Sequence, residues 1–127
     1  MKPGYSGIKR LYHATRFSWQ GIRAGVRHEA AIRQELTTLA VTVLAVPFLR
    51  VNFIEGCLLV GAVLFVLLVE LLNSAVEATV DLVTDDYNDL AARAKDMGSA
   101  AVLVSICLAV LVFAGVFRER LLLIVGG

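Results

Sequence analysis

The sequence predicts an all-α membrane protein, in which an N-terminal amphipathic surface helix precedes three transmembrane helices. Hydrophobic residues make up 58% of the 127 residues, and the mean hydropathy is +0.77. Soluble domains are only about 45–50% apolar. The apolar residues form three long stretches, and most basic residues precede the first of them. We therefore treat residues 1–127 as one integral-membrane domain.

The segment at about 5–28 is predicted to be the surface helix, because its two faces differ in chemistry. One face carries Ile8, Tyr12, Trp19, Ile22 and Val26, and another carries Lys9, Arg10, Arg16, Arg23 and Arg27. This pattern is typical of a helix that lies in the membrane interface. Gly21 and Gly25 disfavour helix and predict a bend towards the first span. A lipid anchor alone is the alternative, but Glu29 and Glu35 interrupt the basic stretch.

The three spans are predicted at about 30–49, 54–83 and 90–117. The last is long enough to cross a hydrocarbon core of about 30 Å. The first is short and must include Arg33 and Glu35 near the interface, with long side chains that reach water. Seven of the 12 Lys and Arg residues, including Arg33, precede the first apolar run, which begins at Leu36, so we expect a cytoplasmic N-terminus. Arg118 and Arg120 are a weaker opposing signal.

Two carboxylates interrupt the second apolar stretch. At about 100° per residue, Glu70, Asn73, Glu77 and Asp81 share one helix stripe, and Glu70 and Glu77 lie about 10 Å apart along the axis. Ionisable groups at membrane depth are usually functional. This separation predicts two different tasks. Asn73 could instead form only interhelical hydrogen bonds, Asp81 could be a helix-end residue, and a proton-coupled transporter or channel would also use a membrane glutamate.

Several function classes lack their sequence motifs. The chain has no Gly-rich phosphate loop, no dinucleotide fingerprint, no zinc-type cluster and no nucleophile elbow. The net charge is +1, and the basic residues concentrate in one segment, so no nucleic-acid partner is expected. Nucleotide chemistry would need acidic side chains for a metal and isolated cations for the phosphates. Glu29, Glu77, Arg10 and Lys95 meet that need.

Four motifs resemble those of the small prokaryotic diacylglycerol kinases, over about Gly7 to Ala114. They are SWxG (Ser18 to Gly21), EAAxRQE (Glu29 to Glu35), ExLNSAxEAxVD (Glu70 to Asp81) and RAKDMGSAAVL (Arg93 to Leu103). The resemblance implies a homotrimer of the bacterial inner membrane with active sites shared between chains. It also implies transfer of the γ-phosphoryl group of MgATP to diacylglycerol, which gives phosphatidic acid. A related branch phosphorylates undecaprenol, although GSAAVL and EAAIRQE look more like the diacylglycerol branch.

The resemblance also implies residue roles. Glu70 would be the general base for the lipid hydroxyl, Asn73 its essential polar neighbour, and Glu29 with Glu77 the ligands of Mg²⁺. The implied ATP-binding positions are Arg10, Phe17, Glu29, Glu77, Asp86, Tyr87, Asn88, Lys95 and Asp96. The implied lipid-binding positions are Arg10, Ser18, Trp19, Arg23, Ala31, Arg33, Glu35, Phe48, Glu70 and Ser99.

Three positions depart from the family pattern. Phe17 replaces a tyrosine, Asp86 a longer glutamate and Phe48 a common tryptophan. Simpler roles are also open for the loop before the third span. Its acidic residues Asp85, Asp86 and Asp89 could cap the following helix, and Tyr87, Leu90, Ala94 and Met97 recur at the spacing of packing residues.

Overall fold

The computed structural model describes residues 4 and 6–126. Over these residues the chain forms four α-helices and one short 3₁₀ turn, with no strand. The helices are α1 (Gly7–His28), α2 (Ala30–Ala45), α3 (Phe53–Val83) and α4 (Asp89–Val125), and the 3₁₀ turn, Val46–Phe48, follows α2. The predicted all-helical class is confirmed. The predicted start of the surface helix at about residue 5 lies outside the described residues.

The junction between α1 and α2 falls at Glu29. This residue is extended (φ −119°, ψ 117°), and its N–H still donates to the Gly25 carbonyl at 2.8 Å. The predicted bend at Gly21 and Gly25 is wrong, since α1 continues through both glycines. At Gly25 the absence of a side chain is needed for helix packing instead. A Cβ there would lie 2.6 Å from the Ile32 side chain, so glycine lets α2 approach α1.

Helices α2, α3 and α4 pack in antiparallel order, with α3 in the centre. Glu55 of α3 pairs with Arg120 of α4 near one end, whereas Asp81 pairs with Lys95 near the other. Most contacts between elements join α3 to α4 or to α2. The buried apolar side chains lie on α2 and α3: Ile32, Leu59, Ala62, Val63, Val66 and Leu67. This small core leaves most apolar surface of the chain uncovered.

In the described part of the chain, α3 and the Asp89–Arg118 part of α4 are long and apolar enough to cross a membrane. At 1.5 Å per residue, α3 is about 46 Å long and α4 about 55 Å, which exceeds a hydrocarbon core of about 30 Å. Only 33% and 11% of their most apolar windows are buried within the chain. Such exposure is typical of helices that face lipid or partner chains. Helix α2, about 24 Å long, does not meet this criterion.

Helix α4 continues beyond the last predicted span. That span is predicted to end at about 117, and the helix extends to Val125. The extension allows the Arg120 side chain to donate to the Arg50 carbonyl at 3.0 Å and to lie 3.4 Å from a carboxylate oxygen of Glu55. Arg50 has a φ of 53°, which is uncommon for a residue with a side chain. Arg120 therefore fixes the loop between α2 and α3.

Candidate functional site

Three carboxylates from separate parts of the sequence lie within electrostatic range of Glu70: Glu35, Glu77 and Glu29. Glu70 and Glu77 project from α3, Glu35 from α2, and Glu29 from the junction of α1 and α2. Like charges repel one another. This carboxylate cluster is therefore a place where bound cations would be stabilised.

Asn73 connects to the cluster through Glu77. Its amide Nδ2 donates to Glu77 Oε1 at 3.2 Å. The resemblance placed Asn73 beside Glu70, but the hydrogen bond that the structure gives its amide goes to Glu77. The Asn73 Oδ1 atom is buried and has no hydrogen-bond partner among the described residues. Buried amides are normally hydrogen-bonded, so the unpaired oxygen indicates that another requirement sets the orientation of the Asn73 side chain.

Lys95 forms an ion pair with Asp81 across the α3–α4 hairpin. The distance from Lys95 Nζ to Asp81 Oδ1 is 2.6 Å, and the two side chains are 42% and 63% exposed. Lys95 also interacts electrostatically with Glu77. Asp81 was interpreted as a possible helix-end residue, so its role as the partner of Lys95 was missed. Asp81 shares a helix stripe with Glu77, which indicated a role at the site. This pattern could not identify a partner of Asp81 on another helix.

A groove of about 330 Å³ lies beside this ion pair, in the loop between α3 and α4. Its lining includes Asp86, Tyr87, Asn88 and Lys95, so the structure brings four predicted nucleotide positions together. Asp96, the residue after Lys95 on α4, is exposed and is not part of this lining. The groove is accessible from solvent and carries both signs of charge. Such a surface suits a charged, water-soluble ligand.

The start of α4 corrects two of the simpler readings. The helix cap is Asn88, not an aspartate: its Oδ1 accepts hydrogen bonds from the Leu90 and Ala91 N–H groups at 2.9 and 3.2 Å. Tyr87 is 86% exposed and Met97 is 67% exposed. Neither side chain packs in a core within this chain.

A second groove, of about 580 Å³, lies between α1, α2 and α3. Its polar lining residues are Ser18, His28, Glu29 and Ser74. Ser18 and Glu29 were predicted as site residues, whereas His28 and Ser74 were missed. Nothing in the sequence indicated a role for His28 beyond its position next to Glu29. Ser74 lies beside Asn73 in the ExLNSAxEAxVD motif.

A third groove, of about 530 Å³, is almost entirely apolar. It runs along α2, α3 and α4, with Val63, Val66, Ile106 and Phe113 among its lining residues. Glu35 also lines it. Because Glu35 belongs to the carboxylate cluster, this apolar groove leads to the cluster from the membrane-length part of the helices.

Three predicted site residues lie away from the cluster within a single chain. Along α1, Arg10 is about 28 Å from Glu29, and Phe17 is about 18 Å from it. Phe48 lies at the opposite end of α2 from Glu29, is 84% exposed, and belongs to the 3₁₀ turn. The structure of one chain therefore does not bring these residues to the carboxylate cluster.

The remaining predicted lipid-binding positions lie around the junction of α1 and α2 or on α4. Trp19, Arg23 and Ser99 are exposed, and Ala31 is half-buried. Arg33 is also exposed, and its guanidinium donates to the Val26 carbonyl of α1 at 2.9 Å. Arg33 therefore directs its charge towards the surface helix rather than along α2.

A divalent cation can be tested against the side chains at this site. Among the described residues, no group of three or more His, Cys, Asp or Glu side chains is arranged to hold a metal ion. Mg²⁺ is commonly held by one or two carboxylates together with substrate phosphates. Glu29 and Glu77 are the candidate carboxylates, because each lies within electrostatic range of Glu70. The site therefore suits a metal ion that binds together with the phosphates of its substrate.

The chain has two helices long enough to span a membrane, and it has a carboxylate cluster with a lysine nearby. These features define an α-helical membrane protein with a charged site. The family profile of prokaryotic diacylglycerol kinase matches residues 16–117. The chain therefore belongs to the prokaryotic diacylglycerol kinase family, as its motifs predicted.

Its similarity to individual family members extends over most of its length. It is 45% identical to the diacylglycerol kinase of Escherichia coli over 106 residues, which cover 84% of this chain and 87% of that protein. It is 47% identical to the Pseudomonas aeruginosa diacylglycerol kinase over 104 residues, 81% of this chain and 84% of that protein. For the Haemophilus influenzae diacylglycerol kinase, the identity is 36% over 111 residues, 87% and 94% of the two chains.

Proposed function

We propose that this chain transfers the γ-phosphoryl group of ATP to diacylglycerol and so forms phosphatidic acid, at the cytoplasmic face of the bacterial inner membrane. Membership of the prokaryotic diacylglycerol kinase family supports a kinase. The observation that carries the proposal is the carboxylate cluster around Glu70, which adjoins Lys95 on one side and an apolar groove on the other. This juxtaposition suits a reaction between a water-soluble phosphate donor and a lipid acceptor.

On the lipid side, Glu70 accepts the proton of the diacylglycerol hydroxyl. As that O–H bond breaks, the oxygen forms a bond to the γ-phosphorus, and the bond between this phosphorus and the β–γ bridging oxygen breaks to release ADP. Phosphoryl transfer needs mainly positioning and charge stabilisation from a protein. The apolar groove beside Glu35 is suited to acyl chains, and Ser18, Glu29 and Ser74 line a separate, more polar groove.

On the nucleotide side, Glu77 and Glu29 would hold Mg²⁺, which would supply positive charge to neutralise the ATP phosphates. Glu77 lies about 10 Å from Glu70 along α3, towards the α3–α4 loop. Lys95 leaves its ion pair with Asp81 and binds phosphate oxygens. The groove that includes Asp86, Tyr87 and Asn88 accommodates the rest of the nucleotide, with Asp96 at its border.

We also propose that α2 is the first of three membrane spans and that the N-terminus is cytoplasmic. Helix α2 packs along α3, and the contact from Arg33 to the Val26 carbonyl keeps a charge out of the hydrocarbon region. The excess of basic residues before α2 supports the orientation. The carboxylate cluster then lies on the cytoplasmic side, where ATP is available.

The assembly that fits these observations is a homotrimer with shared active sites. Arg10 and Phe17 do not reach the cluster of their own chain, and a neighbouring chain's cluster offers them a place. The large exposed apolar surface of α4, including Leu103, Val110 and Leu111, supports contacts with other chains. Arg23 and Trp19, exposed on α1, are likewise available to lipid held between chains.

The proposal is tested with detergent-purified protein, γ-labelled ATP, and diacylglycerol or undecaprenol in parallel reactions. We expect label in phosphatidic acid. Label in undecaprenyl phosphate alone would instead identify the chain as an undecaprenol kinase of the related branch. Absence of any labelled lipid would overturn the kinase proposal. Glu55→Gln provides a matched control for Glu70→Gln, because Glu55 lies at the other end of α3.

A further inference from the structure

We propose that Gly98 is a positioning residue for the nucleotide side of the site: its lack of a side chain lets Asn73 hold Glu77 in place. This inference rests on the proposed function, in which Glu77 binds the metal that accompanies ATP. Gly98 lies on α4, directly opposite Asn73 on α3. It contacts no substrate in this proposal and acts through Asn73.

The contact between Gly98 and Asn73 is close. A Cβ atom added at Gly98 would overlap Asn73 Oδ1 and would lie 3.3 Å from Asn73 Cγ. On its other side, the same amide donates from Nδ2 to Glu77 Oε1 at 3.2 Å. The Asn73 side chain is therefore enclosed between α4 and the Glu77 carboxylate, with little room for a different position.

The orientation of the amide follows from the chemistry of its partner. An ionised carboxylate only accepts hydrogen bonds, so Asn73 must turn its nitrogen towards Glu77. Its oxygen is then directed at α4, where it is buried without a partner among the described residues. Leaving an acceptor buried and unpaired is unfavourable. The arrangement is explained if holding the Glu77 carboxylate matters more than satisfying this oxygen.

Among the described glycines, only Gly98 would place a Cβ against Asn73; the close contact at Gly25 is with Ile32 instead. A Cβ at Gly61 of α3 or at Gly115 of α4 would have nothing within 4 Å. Glycine is also a poor helix former compared with alanine. Alanine at 98 would therefore favour helix α4 locally, and any loss of function would come from the collision with Asn73.

The first test compares Gly98→Ala with the matched control Gly115→Ala in the full-length, detergent-purified enzyme. Gly98→Ala should displace the Asn73 amide and weaken its hold on Glu77. We expect the KM for MgATP to rise about tenfold, because small misplacements at such sites have large effects, while the KM for diacylglycerol stays unchanged. Gly115→Ala should match the unmodified enzyme. MgATP kinetics of Gly98→Ala equal to those of the unmodified enzyme would overturn the inference.

The second test asks whether Gly98 acts through Asn73. MgATP binding is measured for Asn73→Ala with and without Gly98→Ala, so that low turnover does not limit the comparison. We expect no further loss from Gly98→Ala once the amide is absent, which is the coupling that a double-mutant cycle detects. An equal loss in both backgrounds would overturn the inference.

Folding is checked by size-exclusion chromatography of each variant. If Gly98→Ala alone does not give folded protein, the double variant must restore it, and failure to do so would also count against the contact. A failure of the proposed function gives a different result. In that case the unmodified enzyme would not phosphorylate diacylglycerol, whatever the variants bind.

Discussion

Removal of the Asn73 amide should weaken MgATP binding about tenfold. In the structure this amide donates to Glu77 at 3.2 Å, at the long end of the range for N–H···O hydrogen bonds. Hydrogen bonds to charged groups contribute about 1.5–3 kcal/mol. The long, half-buried bond of Asn73 belongs at the lower end, about 1.5 kcal/mol, which corresponds to about a tenfold change in affinity when the whole of this energy is lost from the nucleotide-bound state.

The assay is a calorimetric titration of Asn73→Ala with MgATP in detergent, together with the KM values for both substrates. Thr79→Ala is the matched control, because Thr79 is exposed and, within the described part of the chain, its hydroxyl bonds only to the Ala75 carbonyl of its own helix. Unchanged MgATP affinity together with a lower kcat would refute the reasoning. That result would assign Asn73 to the base Glu70, as the family resemblance implies.

Two further variants separate function from stability. Lys95→Met should lower kcat/KM for MgATP about 100-fold, as removal of a charge-stabilising group does in other sites. The melting temperature should change little, because the ion pair of Lys95 with Asp81 is largely exposed. A loss of folded protein would contradict this prediction. Arg120→Ala should destabilise the chain by about 1–2 kcal/mol, seen as a lower melting temperature in detergent, with KM values unaltered because Arg120 lies at the opposite end of the helices from Lys95.

The fold was predictable where hydrophobic patterning sets it. The apolar runs of α3 and α4 and the two-faced composition of α1 are visible in the sequence. The predicted limits of the surface helix and the first span already met at residue 29, but a bend was expected at Gly21 and Gly25, because glycine ordinarily disfavours helix. In the structure, contact with Ile32 decides the role of Gly25. The continuation of α4 beyond the predicted span, to Val125, was not visible in the sequence, since Arg120 is held by a loop that lies far from it in sequence.

The site was predictable only as a set of positions. The helical spacing places Glu70 and Glu77 on one stripe, but contacts between helices depend on the register of the α3–α4 hairpin. Periodicity within one helix cannot give that register. For this reason the pairing of Lys95 with Asp81 and the contact of Gly98 with Asn73 emerged only from the structure.

The most direct test of this account is Glu70→Gln, measured for lipid phosphorylation and for MgATP binding in the same preparation. The account predicts a fall in kcat of roughly 10²–10⁴-fold, the usual contribution of a general base. MgATP affinity should remain near that of the unmodified enzyme, and the Glu55→Gln control should keep full turnover. Turnover of Glu70→Gln equal to that of the unmodified enzyme would contradict the assignment of Glu70 as the residue that accepts the lipid proton.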